Sequence, residues 1–121
     1  MDRAKFVTHK GRQIYIMDGT NATVEEMDQV IEACERDVRC QPENSVFTLI
    51  IAGGSSFSGE TISKLKELAR GNTPYVKASA IVGITGIHKV VLSAVAMFSK
   101  RRFYLYDTLD EAMDFLAGYT D

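Results

Sequence analysis

The run Val46-Phe-Thr-Leu-Ile-Ile-Ala52 constrains the fold of this chain more than any other stretch. It is nearly all apolar and rich in β-branched and aromatic residues, which is the pattern of a strand covered on both faces, and so of a central strand in a sheet flanked by helices. Ala78-Ser-Ala-Ile-Val-Gly-Ile84 repeats the pattern. Two strands of this kind separated by a helical segment predict parallel pairing through a crossover.

The segments around them supply the covering layers. Ala4–Thr8 and Gln13–Asp18 are strand-like runs joined by His9-Lys10-Gly11-Arg12, with glycine where a tight hairpin needs positive φ. Thr23-Val-Glu-Glu26 is a capping box, and Val24, Met27, Val30, Ile31, Cys34 and Val38 follow it at three- and four-residue steps, forming one apolar stripe. A second helix turns Ile62, Leu65 and Leu68 inward and ends near Gly71-Asn72, ahead of Pro74. Thr85-Gly86 opens a third, whose expected inward face is Ile87, Val90, Val91, Ala94, Val95 and Phe98. Phe103–Tyr106 is the last strand, and Thr108-Leu-Asp-Glu111 caps a final helix over Ala112–Leu116. The order β-β-α-β-α-β-α-β-α predicts an α/β fold: a mostly parallel five-stranded sheet with an N-terminal antiparallel hairpin and four flanking helices. Residues 1–121 are expected to form a single domain.

Charge narrows the partners. Fourteen basic and 16 acidic side chains are interleaved along the chain, so no broad positive field is available for nucleic acid. The longest apolar-rich run, Val90–Phe98, is far short of the ~20 residues that span a bilayer, and no secretory leader opens the sequence; the expected location is cytoplasmic. Cys34 and Cys40 have neither redox-pair nor zinc spacing and read as buried reduced thiols. With only His9 and His88 besides, neither a metal nor another cofactor is expected.

The loop after the central strand, Gly53-Gly-Ser-Ser-Phe-Ser-Gly-Glu-Thr61, is one residue away from the nucleotide-binding pattern G-x-x-x-x-G-K-[ST]. Glu60 stands where the lysine is needed, and a carboxylate there repels the β- and γ-phosphates. Two readings remain. Ser55, Ser56 and Ser58, with Gly59, form a partner-binding loop or a phosphorylation switch at a helix N-terminus. Alternatively Ser58 is an N-cap, Phe57 a hydrophobic staple on Ile62, and Glu60 a complement to the helix dipole. Thr85, Gly86 and His88, at the start of the third helix, are the candidate contacts for a ligand or anion, but no nucleophile with a flanking motif accompanies His88.

Two surface features complete the inventory. Ser99-Lys-Arg-Arg102, with Lys89, reads as an anion patch or as cations closing the third helix; the macrodipole favours the second. On the last strand Tyr104 and Tyr106 alternate with Phe103 and Leu105, so one pair faces outward or toward a helix, near Met97 and Met113.

From Asn72 onward the chain resembles the C-terminal half of bacterial SpoIIAA-like proteins, which are related to STAS domains and to the Sec14 lipid-binding fold. The residues that carry the resemblance are Pro74-Tyr-Val-Lys77, Val82-Gly-Ile-Thr-Gly86, the Phe98–Arg102 turn, and Asp107 leading to Glu111-Ala112. It implies a small cytoplasmic β-α superhelix that regulates by binding other proteins, itself included as a homodimer, without enzymatic activity. Anti-sigma-factor antagonists of the STAS type keep a regulatory serine in Asp-Ser-Ser-Gly at the start of the helix after the third strand. Ser58-Gly59 occupies that place here, preceded by Phe57 instead of Asp-Ser. The Sec14 relationship implies the alternative of a carrier or sensor of a small apolar or lipid-like ligand, held between the third helix and the sheet.

Overall fold

The computed structural model describes residues 2–120. Strands β1 (Ala4–His9) and β2 (Arg12–Asp18) form the antiparallel hairpin, with Lys10 and Gly11 both at positive φ as a two-residue turn requires. Helix α1 (Val24–Val38), strand β3 (Val46–Ile51), helix α2 (Gly59–Asn72), strand β4 (Val76–Val82), helix α3 (Ile87–Ser99), strand β5 (Tyr104–Tyr106) and helix α4 (Leu109–Ala117) follow. Among the described residues the sheet has five strands in the order β1-β2-β3-β4-β5, antiparallel in the first pair and parallel thereafter.

This monotonic order decides where the helices go. Parallel crossovers are right-handed, so successive crossovers that always step to the same side deposit their helices on one face. Helices α1, α2 and α3 share that face, and α4, which follows the last strand, packs on the other. The core divides accordingly. On the α1–α2 side it holds Tyr15, Met17, Val30, Ile31, Cys34, Val46 and Leu68. On the α4 side it holds Ile14, Phe47, Leu49, Ala78, Ala80, Val82, Ala112, Met113 and Leu116. The alternation Ile14/Tyr15 and Phe47/Thr48 is the period of two in a strand buried on both sides.

Helix α3 corrects the sequence expectation. Val95 is buried, and Val91 and Leu92 are half-buried beneath the helix, but Ile87, Val90 and Met97 are 59%, 63% and 81% exposed, and Phe98 also lies on the surface. The inward stripe is therefore rotated away from Ile87, Val90 and Phe98. The reason is position in the row: α3 is the last of three helices, has α2 on one side only, and is followed by a strand of just three residues. Cys40 is likewise exposed, because α1 ends at Val38 and leaves it beyond the helix, whereas Cys34 is buried as expected. No helix among the described residues is long and apolar enough to cross a membrane.

Candidate functional site

The loops after β3 and β4 leave the same edge of the sheet because the two strands are parallel neighbours. The first, Gly53–Ser58, is fixed by backbone bonds. Asn21 N–H donates to Gly53 O (3.0 Å), Ser56 N–H to Ala22 O (2.8 Å) and Ser55 N–H to Ala52 O (3.1 Å). Gly54 has φ +72° and lies against Asn21, a conformation and a contact that a side chain would not permit.

Ser58 is the N-cap of α2. Its Oγ accepts from Thr61 N–H at 3.1 Å, and Thr61 Oγ1 accepts from Ser58 N–H at 3.1 Å, so the capping box closes on the buried Thr61. Glu60 stays outside the box, at the surface of the first turn. Phe57 sets its ring edge-on against His88 on α3, with centroids 5.5 Å apart.

Two sets of residues singled out separately in the sequence meet here. His88 Nε2 lies 3.1 Å from Ser55 O and 3.2 Å from Ser55 Oγ, and Ser55 Oγ donates to Ala52 O at 2.9 Å. A carbonyl oxygen only accepts, so Nε2 carries a proton and donates to Ser55; the hydroxyl is spent on Ala52. This is a latch between the β3–α2 loop and the first turn of α3. An activated serine would need Nε2 free to accept, which is the opposite arrangement. Thr85 and Gly86 do not join the latch. Both are exposed, and Gly86 is an N-cap at φ +53° without a side-chain bond to α3. Ser56 is exposed on the loop and Gly59 is exposed at the first position of α2, with open space where a Gly59 side chain would stand.

Behind the latch is a cavity of about 110 Å³ between the sheet, α2 and α3. Its walls are mainly aliphatic, from Ile50, Leu65, Leu68, Ile81, Val91, Leu92 and Val95, with Phe57 and Phe103. Ser55 and His88 are at one end, and Thr48, Asn72 and Arg101 at the other. The Sec14 resemblance implied, as an alternative, a ligand between the third helix and the sheet; the polar inner end of this cavity was not anticipated. Buried Asn72 there donates to Cys34 Sγ (3.4 Å) and accepts from Arg39 Nε (2.9 Å), tying α2 to α1. Burial pushes the Cys34 thiol up to about 12, so it is neutral and unreactive.

Arg101 corrects the reading of the basic cluster. It neither caps α3 nor joins an outer patch. Its guanidinium turns inward, donating to Ala69 O at the end of α2 (3.3 Å) and to Ser79 Oγ, and stacking over Phe103 at 5.0 Å. The end of α3 is made by Lys100 in a left-handed backbone conformation, and Arg102 lies over Tyr104 at 4.8 Å. Tyr104 and Tyr106 pack on Phe115 of α4, which leaves Leu105 as the exposed member of the last strand; Met113 is buried.

The fold is that of STAS domains. The chain superposes with a TM-score of 0.63 on the structure of an anti-sigma-factor antagonist (STAS) domain protein from Planctomyces limnophilus, over 95% of this chain and 98% of that one. The two sequences are 13% identical, so the likeness is one of architecture. No family model matches the chain, and no curated protein matches it significantly. The five-stranded sheet, antiparallel in its first pair and parallel thereafter, agrees with the expected fold, and Ser58 is the N-cap of the helix after the third strand.

Proposed function

We propose that this chain is a regulatory module that acts by binding another protein through the outer face of α3. The observation that carries this reading is the apolar surface formed by Ile87, Val90, Met97 and Phe98 on the helix. Isolated exposed apolar residues need no explanation, but a helix apolar on both sides has one face left for a partner. Fully burying such side chains gains ~1.5–3 kcal/mol each, so covering four that are about half exposed or more is worth several kcal/mol. Basic side chains lie near it: Lys89 on α3, Lys100 at its C-cap, and Lys66 and Arg70 within 5.8 and 5.6 Å of the Phe98 ring. A partner with an apolar ridge and an acidic rim complements this surface, whereas a second copy meeting it face to face opposes like charges. The STAS-type fold supports the same reading by analogy.

The test is position-resolved photo-crosslinking in the native host, with the crosslinker at Met97 and, as a control, at Glu32 on α1. A discrete crosslinked protein at Met97, absent at Glu32 and lost with Val90→Glu, is expected. Equal products at both positions, or none at Met97, refute the proposal.

A second reading is favoured by the cavity. An aliphatic space walled by α3 suits a carrier or sensor of a small apolar molecule. Its volume is below the several hundred Å³ of a lipid site, which directs this reading to small ligands. Native mass spectrometry of freshly purified protein, expected to retain a small molecule under this reading and to give a clean apo mass otherwise, decides it.

A further inference from the structure

Arg101 is a cation set into the wall of an aliphatic cavity without a counter-ion. Among the described residues no carboxylate lies within ion-pair distance of it; its bonds go to Ala69 O and Ser79 Oγ. Two of its five N–H donors are thereby used, and its plane is held against Phe103, so the guanidinium is oriented and still has donors to spare. The guanidinium is half-buried, so it is only partly taken out of water, and burial without an ionic partner lowers it to about 10. The neighbouring groups do not relieve it. Thr48 Oγ1 and Ser79 Oγ bond each other at 2.6 Å, and Cys34 is a neutral thiol.

We propose that the cavity under α3 binds a short aliphatic monocarboxylate, its hydrocarbon end among Leu65, Val91 and Val95 and its carboxylate on Arg101. The inference rests on the cavity reading above and adds the ligand's chemical class. Charge sets the head group: one guanidinium in an apolar wall balances a single negative charge, and its planar fork matches a carboxylate bidentately. Volume sets the tail. An apolar cavity of 150 Å³ holds benzene, so by proportion about 110 Å³ suits a hydrocarbon tail of about four carbons, with the carboxylate on Arg101 at the cavity wall.

The test is calorimetric titration at pH 7 with 3-methylbutanoate, with 3-methylbutanol as its neutral counterpart and with inorganic phosphate. The acid is expected to bind the unmodified protein at least about tenfold more tightly than the alcohol, a difference of ~1.4 kcal/mol. Arg101→Met should reduce that preference to less than about twofold while leaving alcohol binding intact; replacing a half-buried charge by an apolar side chain of similar length is commonly tolerated. If that variant fails to fold, Val95→Phe fills the cavity with Arg101 untouched, and it should abolish binding of acid and alcohol together. Equal affinity for acid and alcohol overturns the role of Arg101 and leaves the cavity reading standing. No binding of either overturns both. Phosphate binding as tightly as the acid, undiminished by Val95→Phe, overturns the proposal in favour of an anion held from the surface side of Arg101, beside Thr73, Arg102 and Tyr119.

Discussion

Replacing Ser58 separates its role as a cap from any role as a switch, because the two roles rank the same substitutions differently. Ser58 Oγ accepts the Thr61 N–H at 3.1 Å, and Thr61 Oγ1 returns the bond to Ser58 N–H, so the hydroxyl is half of a closed pair. Ser58→Ala removes the acceptor and leaves one helical N–H to water; loss of an N-cap costs ~0.5–2 kcal/mol, typically about 1. Unfolding entropy of ~2.1 cal/mol/K per residue over 121 residues converts 1 kcal/mol into a Tm lower by about 4 °C. Ser58→Asp restores an acceptor and sets a negative charge at the helix N-terminus, so it should match the native protein within about 0.5 kcal/mol. Aspartate at this position therefore acts as a cap as well as a phosphate mimic, and a partner-binding change seen with Asp but not with Ala or Asn is the one that reports charge. Urea unfolding of the Ala, Asn and Asp variants measures the order. Ala equal to native, or Asp as damaging as Ala, would show that the Ser58–Thr61 pair does not hold the start of α2.

Four further outcomes follow from the geometry. Titration with a thiol reagent under native conditions should modify one cysteine per chain, Cys40, and two after unfolding, since Cys34 is buried and its thiol raised to about 12; two fast thiols in the native protein contradict this. Tyr15→Phe removes the hydroxyl that donates to Asp37 at 2.8 Å from a fully buried ring, and should cost ~1.5–3 kcal/mol in urea unfolding, as expected of a bond to a charged acceptor; a loss below about 0.5 kcal/mol refutes it. Glu26 is held below the usual carboxylate range by the Thr23 backbone N–H that it caps, so its contribution is complete above about pH 5 and is lost as pH falls through its lowered folded value. The stability difference between the native protein and Glu26→Gln should shrink over that acid range, and a constant difference rules the cap out as the cause. Ser55→Ala removes the Oγ contact to His88 and the bond to Ala52 but keeps the carbonyl contact to His88, so hydrogen exchange should rise modestly in the β3–α2 loop and the first turn of α3 and remain unchanged in α1; a uniform rise would mean a global effect.

Much of the fold was legible because the local signals agree with one another. Val46–Ile51 is apolar without alternation, Thr23 and Thr108 carry caps three residues before an acid, and Gly11 marks the hairpin; each needs only its neighbours in sequence to be read. The orientation of α3 was not legible. Ile87, Val90, Val91, Leu92, Val95 and Phe98 lie on more than one side of the helix, and which side is inward depends on α3 being the outermost helix, followed by a three-residue strand. Arg101 was hidden for a related reason: in Ser99-Lys-Arg-Arg102 three cations look alike, and the backbone turn at Lys100 sends one of them under the helix. The meeting of Ser55 and His88 had a usable signal. Both follow buried strands expected to be parallel, and loops after parallel neighbours leave the same edge of the sheet, where ligand sites of open α/β sheets lie.

The two surfaces proposed here share one element, and that gives them a physical means of acting on each other. The inner side of α3 supplies Val91, Leu92 and Val95 to the cavity, and its outer side presents Val90 and Met97. The helix starts on an uncapped glycine and is held there by His88, so its N-terminal turn depends on the latch and on α2 for its position. A ligand that fits the cavity better in one setting of α3 than in another shifts the helix by that difference in affinity and no more. Reciprocity then requires a partner on the outer face to change ligand affinity by the same factor. A 110 Å³ cavity occupied by a molecule of a few carbons offers only a modest difference, of the order of 1–3 kcal/mol, which corresponds to a bias of roughly 5- to 150-fold between settings. Coupling of that size is graded. It suits a module that adjusts how firmly a partner is held, and it is too small to turn an interaction from nearly absent to nearly complete, which needs about 5.5 kcal/mol.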